Sequence, residues 1–354
     1  MMQDRYDLYV RIAQKYGTPC YIYSRSHLTS AYQTFDAAFG GHPHQICYAV
    51  KANSNLAILN TFARLGAGFD IVSVGELERV IAAGGDPKKV IFAGIGKRTD
   101  EIERALQVEI QCFNVESRAE LARINQIAGR LGVVAPIALR VNPDIEAGAH
   151  PYISTGLKEN KFGIDMEEAR HLYQTHQKDF PHVRMIGIAS HIGSQILEPE
   201  PFLEALDRML SLGVALEHID IGGGFGVQYH DETVPSPKNY LAPLLQKTNQ
   251  KIIIEPGRAL VASSGVLVTR VEYLKRTAHK NFAIVDAAMN DLMRPVLYDA
   301  WHDIVPVSSH IDIKPEIYDV VGPICETADF LGKARRLAIK ENDLLIIKTA
   351  GAYG

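Results

Sequence analysis

Residues 46–53 read Ile-Cys-Tyr-Ala-Val-Lys-Ala-Asn, an apolar run that closes on a lysine, Lys51, with small residues on either side. Seven more such runs follow, at 68–73, 90–94, 112–117, 136–143, 185–193, 218–224 and 251–258. They are nearly continuous in apolar residues rather than alternating, the pattern of strands covered on both faces. Between them, 56–65, 75–83, 100–106, 118–130, 166–176 and 201–212 carry apolar residues at helical spacing. Eight strands alternating with helices suit a closed (β/α)8 TIM-like barrel better than an open sheet. The connection at 150–165 is long for a strand-to-helix link, and long loops at that end of a barrel are where substrate contacts are placed.

Outward from the runs, residues 4–16 have amphipathic helical spacing and end at Gly17-Thr18-Pro19. A short strand at 20–23 and a helix at 26–39 come next. Beyond Arg258 the rhythm changes. Strand-like runs at 266–273, 282–286, 317–321 and 344–349 have no long helix between most of them, as in a separate β domain. The expected organisation is an N-terminal segment (1–24) packing on the β domain, a barrel (25–262) and a C-terminal β domain (263–354). With Gly354 following so closely on an apolar strand, that β domain is expected to be incomplete.

At 354 residues the chain exceeds what one hydrophobic core usually covers. Its net charge of −4 is spread along the chain, so no footprint favours nucleic acid or an anionic membrane surface. No apolar run approaches a membrane span, and Met-Met-Gln-Asp-Arg-Tyr-Asp has neither the basic start nor the apolar core of a signal peptide. A cytoplasmic protein is expected. Cys20, Cys47, Cys112 and Cys325 form no Cys-x-x-Cys pair, which suggests neither a zinc site nor a disulfide framework, and no metal is expected.

Six of the runs end in residues able to do chemistry: Lys51, Asp70, Asn142, His191, Gly222-Gly223-Gly224 and Glu255. The carboxyl ends of barrel strands form the active-site face, so the placement matters more than any one residue. Lys51 reads either as a strand-end lysine reaching solvent or as an amine that forms a Schiff base. The glycine run is either a plain turn or a backbone open to a phosphate. Glu255-Pro-Gly257-Arg258 is either a surface ion pair or a carboxylate aimed into the barrel mouth, where it would keep a ring nitrogen protonated. His191 is either a satisfied core histidine or the cover of one face of a planar cofactor. Asp70 either caps the helix beginning near Gly75 or biases the charge of Lys51.

Taken together, Tyr48-Ala-Val-Lys51-Ala-Asn53, Gly68-Phe-Asp70, His191-Ile-Gly-Ser194, Asp220-Ile-Gly-Gly-Gly224 and Glu255-Pro-Gly-Arg258 resemble, in order and spacing, the fold-type III pyridoxal-phosphate decarboxylases. The resemblance runs from about Thr18 to the last residue. It implies a barrel with a C-terminal β domain and pyridoxal 5'-phosphate as cofactor. Lys51 would be its covalent anchor, His191 would stack on its ring, and Gly222, Gly223 and Gly224 would hold its phosphate. Glu255 would pair with the ring nitrogen, and Asp70, Ser194, Gly257 and Arg258 would complete the cofactor site. Two further stretches, His150-Pro-Tyr-Ile-Ser-Thr155-Gly156 with Lys161-Phe-Gly163-Ile164 and the tail around Arg294, Tyr298, Cys325, Glu326 and Tyr353, are most similar to the members acting on diaminopimelate. That implies decarboxylation of meso-diaminopimelate to L-lysine by a homodimer with shared active sites. Arg258, Arg294, Tyr298, Glu326 and Tyr353 would contact the amino-acid substrate, Tyr353 the cofactor as well, and Cys325 of the partner subunit would return the proton.

The implied roles are chemically coherent. A carboxylate at the ring nitrogen keeps the electron sink deep, which favours decarboxylation over racemisation. Diaminopimelate has an amino-acid head at each end, so its distal carboxylate suits arginines and its distal ammonium a carboxylate. The same chemistry on ornithine, arginine or carboxynorspermidine is the first alternative. A non-catalytic cofactor-binding or partner-binding relative is the second. The family normally continues for several dozen residues past Gly351-Ala-Tyr353-Gly354, and it more often has serine where Asn160 precedes Lys161.

Overall fold

The computed structural model describes residues 2–145, 161–214, 216–308 and 310–354. The motif at 150–156 and the Asn160 departure lie outside the described residues. The chain divides into two compact units, one of Leu28–Val227 with Thr233–Leu260, the other of Met1–His27, Gln228–Glu232 and Val261–Gly354.

Strand β1 (Cys20–Tyr23) belongs to the second unit. The first unit is built on β2 (His44–Ala49), β3 (Gly68–Ile71), β4 (Val90–Phe92), β5 (Cys112–Val115), β6 (Ala135–Arg140), β7 (Val183–Ala189), β8 (His218–Asp220) and β9 (Lys251–Ile254). These eight pair in parallel, in chain order, and β9 closes on β2 through Gln45↔Ile253 and its neighbours. The result is the expected (β/α)8 barrel. Its lumen is filled by Cys47, Ile91, Cys112, Ala138, Ile186, Ala189 and Ile253, a core of small and branched side chains.

Every strand stops short of the end of its apolar run, and the difference is informative. After Ala49 the chain turns into a 3-10 turn, Val50–Ala52. After Asp220 it enters the glycine turn, where Gly222 (φ 74°) and Gly224 (φ 101°) leave β geometry. After Ile254, Pro256 lacks an N–H for a ladder. The chemistry-bearing residues therefore lie mostly in turns just beyond the ladder.

Helix Pro237–Leu245 has no counterpart among the expected helices. Pro243 inside it interrupts the helical reading, while Ser236 caps it by accepting the Asn239 N–H at 3.3 Å. Its Tyr240 packs edge-on against Phe202 and Phe225, and Phe225 stacks on Phe202 at 5.0 Å. That aromatic cluster sits directly behind the glycine turn.

The second unit adds β10 (Gly265–Arg276), β11 (Asn281–Val285), β12 (Ile304–Pro306), β13 (Glu316–Val321), β14 (Phe330–Leu337) and β15 (Leu344–Ile347). Its sheet runs β12-β15-β10-β11-β13-β14, with β1 antiparallel on β10. Strands β12 and β14 go unmarked by the apolar pattern. In β14 the reason is visible: Lys333, Arg335 and Arg336 interrupt the apolar run, and Ala334 (φ 52°) breaks the alternation. Leu267, Val271, Val285, Tyr318, Val320, Leu331, Leu345 and Ile347 form this unit's own core. Ala13, on the helix Met2–Tyr16, is buried with Val268, Val307 and Ile346.

Candidate active site

Lys51 lies on the 3-10 turn after β2, next to β3 in the barrel. The β2–β3 register pairs Ala49 with Asp70, which brings the Lys51 Nζ to 2.5 Å from Asp70 Oδ2. The lysine side chain is 36% exposed and the aspartate fully buried, so this is an amine at the water boundary held by a buried carboxylate. Asp70 does not cap the following helix. Ser73 does that, accepting the Glu76 N–H at 3.2 Å. The small flanks of Lys51 have a local cause: a Cβ on Gly257 would lie 3.1 Å from Ala49 Cβ and 3.0 Å from Ala52 Cβ. Glycine at 257 and alanines at 49 and 52 let the first and last strand ends touch.

The glycine turn after β8 works mainly by leaving space. A Cβ on Gly222 would strike the Ser190 carbonyl, one on Gly223 the Glu255 carbonyl, and one on Gly224 the Gly193 carbonyl. The Gly222 N–H donates to Asp220 Oδ1 at 2.9 Å, and the Gly223 N–H donates to His191 Nδ1 at 3.0 Å. Those two amides are turned onto the protein. Because His191 Nδ1 accepts, the proton of the neutral ring sits on Nε2. Burial, with the cations of Arg140 and Lys51, pushes the His191 pKa well below the usual histidine range, so the ring stays neutral.

Glu255 follows β9 and is 6% exposed. Asn114 of β5 donates through one nitrogen, Nδ2, to Asp220 Oδ2 at 3.1 Å and to Glu255 Oε1 at 3.2 Å. Burial and the neighbouring Asp220 and Asp70 carboxylates push the Glu255 carboxyl well above its usual range, and burial raises Asp220 as well. Two buried carboxyls this close do not both ionise, so the pair holds a proton. Apolar patterning does not single out Asn114 as part of the site, and Asp220 is marked only as a member of the glycine motif. A polar residue inside an otherwise apolar strand is the one signal that points to them.

Arg258 sends Nη2 to Ser194 Oγ at 2.9 Å. Arg140, at the end of β6, is buried against Glu116 with Nη1 2.6 Å from Oε1, and its Nη2 reaches the His191 carbonyl at 3.5 Å. The other oxygen of Glu116 accepts the Gly163 N–H at 2.9 Å, and the Arg140 guanidinium lies over the Phe162 ring at 4.9 Å. This pair roots the segment 161–164 on the barrel. Asn142 belongs to the same root, its N–H donating to the Ile164 carbonyl at 2.9 Å.

In the second unit, Arg294 is buried with its guanidinium 4.0 Å from the centre of the Tyr229 ring and Nη1 2.7 Å from His302 Nε2. His302 Nδ1 donates to the Lys348 carbonyl at 2.9 Å, so its Nε2 is free of a proton and accepts from the arginine. Cys325 and Glu326 are exposed, on a loop stapled by Asp329, whose carboxylate accepts the N–H groups of Met289 (2.7 Å) and Ile324 (2.9 Å). Tyr298 and Tyr353 are partly exposed, Tyr353 with φ 58°.

The barrel rim fits pyridoxal 5'-phosphate on its own evidence. It has a turn that no side chain can enter, a buried carboxyl poised to face a protonated ring nitrogen, and an amine at the water boundary with its counter-ion. Comparison with known proteins agrees. Residues 25–262 match the family of the pyridoxal-dependent decarboxylase, pyridoxal binding domain. The diaminopimelate decarboxylase of Vibrio cholerae is 55% identical over 354 residues, covering 97% of this chain and 84% of that protein. The Pseudomonas aeruginosa enzyme of the same name is also 55% identical, over 97% of this chain and 85% of its own. A crystal structure of diaminopimelate decarboxylase from Helicobacter pylori complexed with L-lysine superposes with a TM-score of 0.92 at 42% identity, covering 98% of this chain and 89% of that one. This chain belongs to the pyridoxal-dependent decarboxylases, in the family of the diaminopimelate decarboxylases.

Proposed function

We propose that the chain decarboxylates meso-2,6-diaminopimelate to L-lysine and CO2 with pyridoxal 5'-phosphate, as a cytoplasmic homodimer. The observation that carries the chemistry is the buried Glu255 at the end of the last barrel strand, in a chain 55% identical to diaminopimelate decarboxylases. When bound, the cofactor supplies the sink for the electron pair left as the carboxylate departs. Lys51 anchors it covalently and Asp70 balances the charge of the amine. His191 offers a neutral ring, Gly222, Gly223 and Gly224 give the backbone clearance a phosphate needs, and Glu255 keeps the ring nitrogen protonated. Gly257, Ser194 and Arg258 complete the set.

For recognition, the roles rest on the resemblance together with local geometry. Arg294, always cationic, is set in place by the Tyr229 ring and His302, a suitable partner for a carboxylate. Glu326 matches a distal ammonium, and Arg258, Tyr298 and Tyr353 are the other substrate contacts. Cys325 is exposed on its loop, which suits donation of a proton to the neighbouring copy's site.

The test is release of CO2 from meso-diaminopimelate, ornithine, arginine and carboxynorspermidine with added cofactor. Diaminopimelate is expected to dominate, giving L-lysine. Preference for a substrate lacking the distal carboxylate would overturn the assignment. Borohydride reduction should fix the cofactor on Lys51 and nowhere else, and Lys51→Ala should abolish both adduct and turnover. No adduct in the unaltered protein would leave a non-catalytic relative as the reading.

A further inference from the structure

We propose that Asn114 and Asp220 are positioning residues that aim and charge Glu255, and so set how strongly the ring nitrogen of the cofactor holds its proton. The proposal rests on the cofactor reading above. Asn114 is 2% exposed and Asp220 fully buried, so neither serves solubility. One Asn114 nitrogen bonds both carboxyls, at 3.1 and 3.2 Å, which fixes Glu255 Oε1 in one orientation. Asp220 spends its other oxygen on the Gly222 N–H, and Gly222 in turn accepts the Glu255 N–H through its carbonyl at 2.8 Å. The phosphate end and the ring-nitrogen end of the cradle are thus one hydrogen-bonded unit with Asp220 at its centre.

The electrostatic consequence follows from proximity. A second carboxylate beside Glu255 makes Glu255 more basic, and a more basic partner holds a pyridinium proton to higher pH. Asp70 adds to the same field, while Lys51 opposes it. Asp220 thereby deepens the electron sink without touching the cofactor.

Asp220→Asn separates this role from a structural one. It keeps an oxygen for the Gly222 N–H and removes the charge together with the Oδ2 acceptor of Asn114, a bond that Asn114→Ala removes without touching the charge. With holoenzyme carrying cofactor labelled at the ring nitrogen, NMR reads the protonation of that nitrogen against pH directly. The midpoint is expected to fall by about one unit or more in Asp220→Asn, the size of a neighbouring-carboxylate effect. Cofactor affinity, measured by fluorescence on apoenzyme, is expected to stay within about threefold. Asn114→Ala, which frees Glu255, is expected to lower kcat at least about tenfold with KM nearly unchanged, the signature of an interaction made in the transition state. Equal midpoints in Asp220→Asn and the unaltered enzyme, with the Lys51 adduct intact in both, would overturn the proposal alone. Absence of the adduct in the unaltered enzyme would overturn the cofactor reading and this proposal with it.

Discussion

At the scale of single residues, the barrel keeps several ionisable groups in states that water would not favour. His218 shows the cost. It is 3% exposed, a Cβ on Gly187 would collide with its ring, and burial with Lys251 nearby lowers its pKa to about 4. An unfolded histidine takes up a proton near pH ~6.5, which the folded ring refuses until far lower. Its contribution is therefore fully present above that pH and is lost as pH falls toward about 4, up to about 3 kcal/mol. His218→Asn is expected to lose less stability than the unaltered protein between pH 7 and pH 5, read as the change in Tm. A variant with the same pH slope would show that the burden lies elsewhere. Lys51 and Asp70 show a different arrangement, an amine set 2.5 Å from a buried carboxylate. Apolar spacing identified the strand end that carries Lys51, but that Asp70 rather than solvent receives it depended on the β2–β3 register.

At the scale of elements, the glycine turn is only as well placed as the aromatic cluster behind it. Phe225 stacks on Phe202, meets Tyr240 at 5.3 Å and Phe35 at 5.2 Å, and is 2% exposed. Tyr240 adds a hydrogen bond to the Ile196 carbonyl at 2.7 Å, and Ile196 donates its N–H to the Gly224 carbonyl at 2.9 Å. Phe225→Ala is expected to cost about 3–5 kcal/mol by urea unfolding. It should also weaken cofactor binding, because the collapse of the cavity drags the turn with it. A destabilised variant with unchanged cofactor affinity would separate the turn from its backing. The helix that supplies Tyr240 was hidden in the sequence by Pro243, and β14 by its basic residues; both are stabilised by burial that local propensity does not register.

At the scale of the whole molecule, the two units each bury their own core, and among the described residues no helix is long and apolar enough to cross a membrane. The chain spans 84–85% of the length of the two named relatives. Light scattering of the protein with cofactor is expected to give the mass of two chains. A strictly monomeric species with full activity would remove the shared-site role of Cys325. An inactive Cys325→Ala that regains turnover when mixed with an inactive Lys51→Ala would support it, since each mixed dimer then holds one complete site.

The sequence by itself determined the barrel and the identity of its rim. Both are written in short windows: the period of the apolar runs, and the residue on which each run ends. What only the tertiary structure decided is which of those residues meet. Asn114 lies 106 residues from Asp220 and 141 from Glu255, and nothing within either window marks the partnership. Closing eight strands into a ring brings β5 across from β8 and β9 and buries all three side chains together. In that low-dielectric space a donor and two acids must satisfy one another, which is a property of the closed barrel and of no single strand.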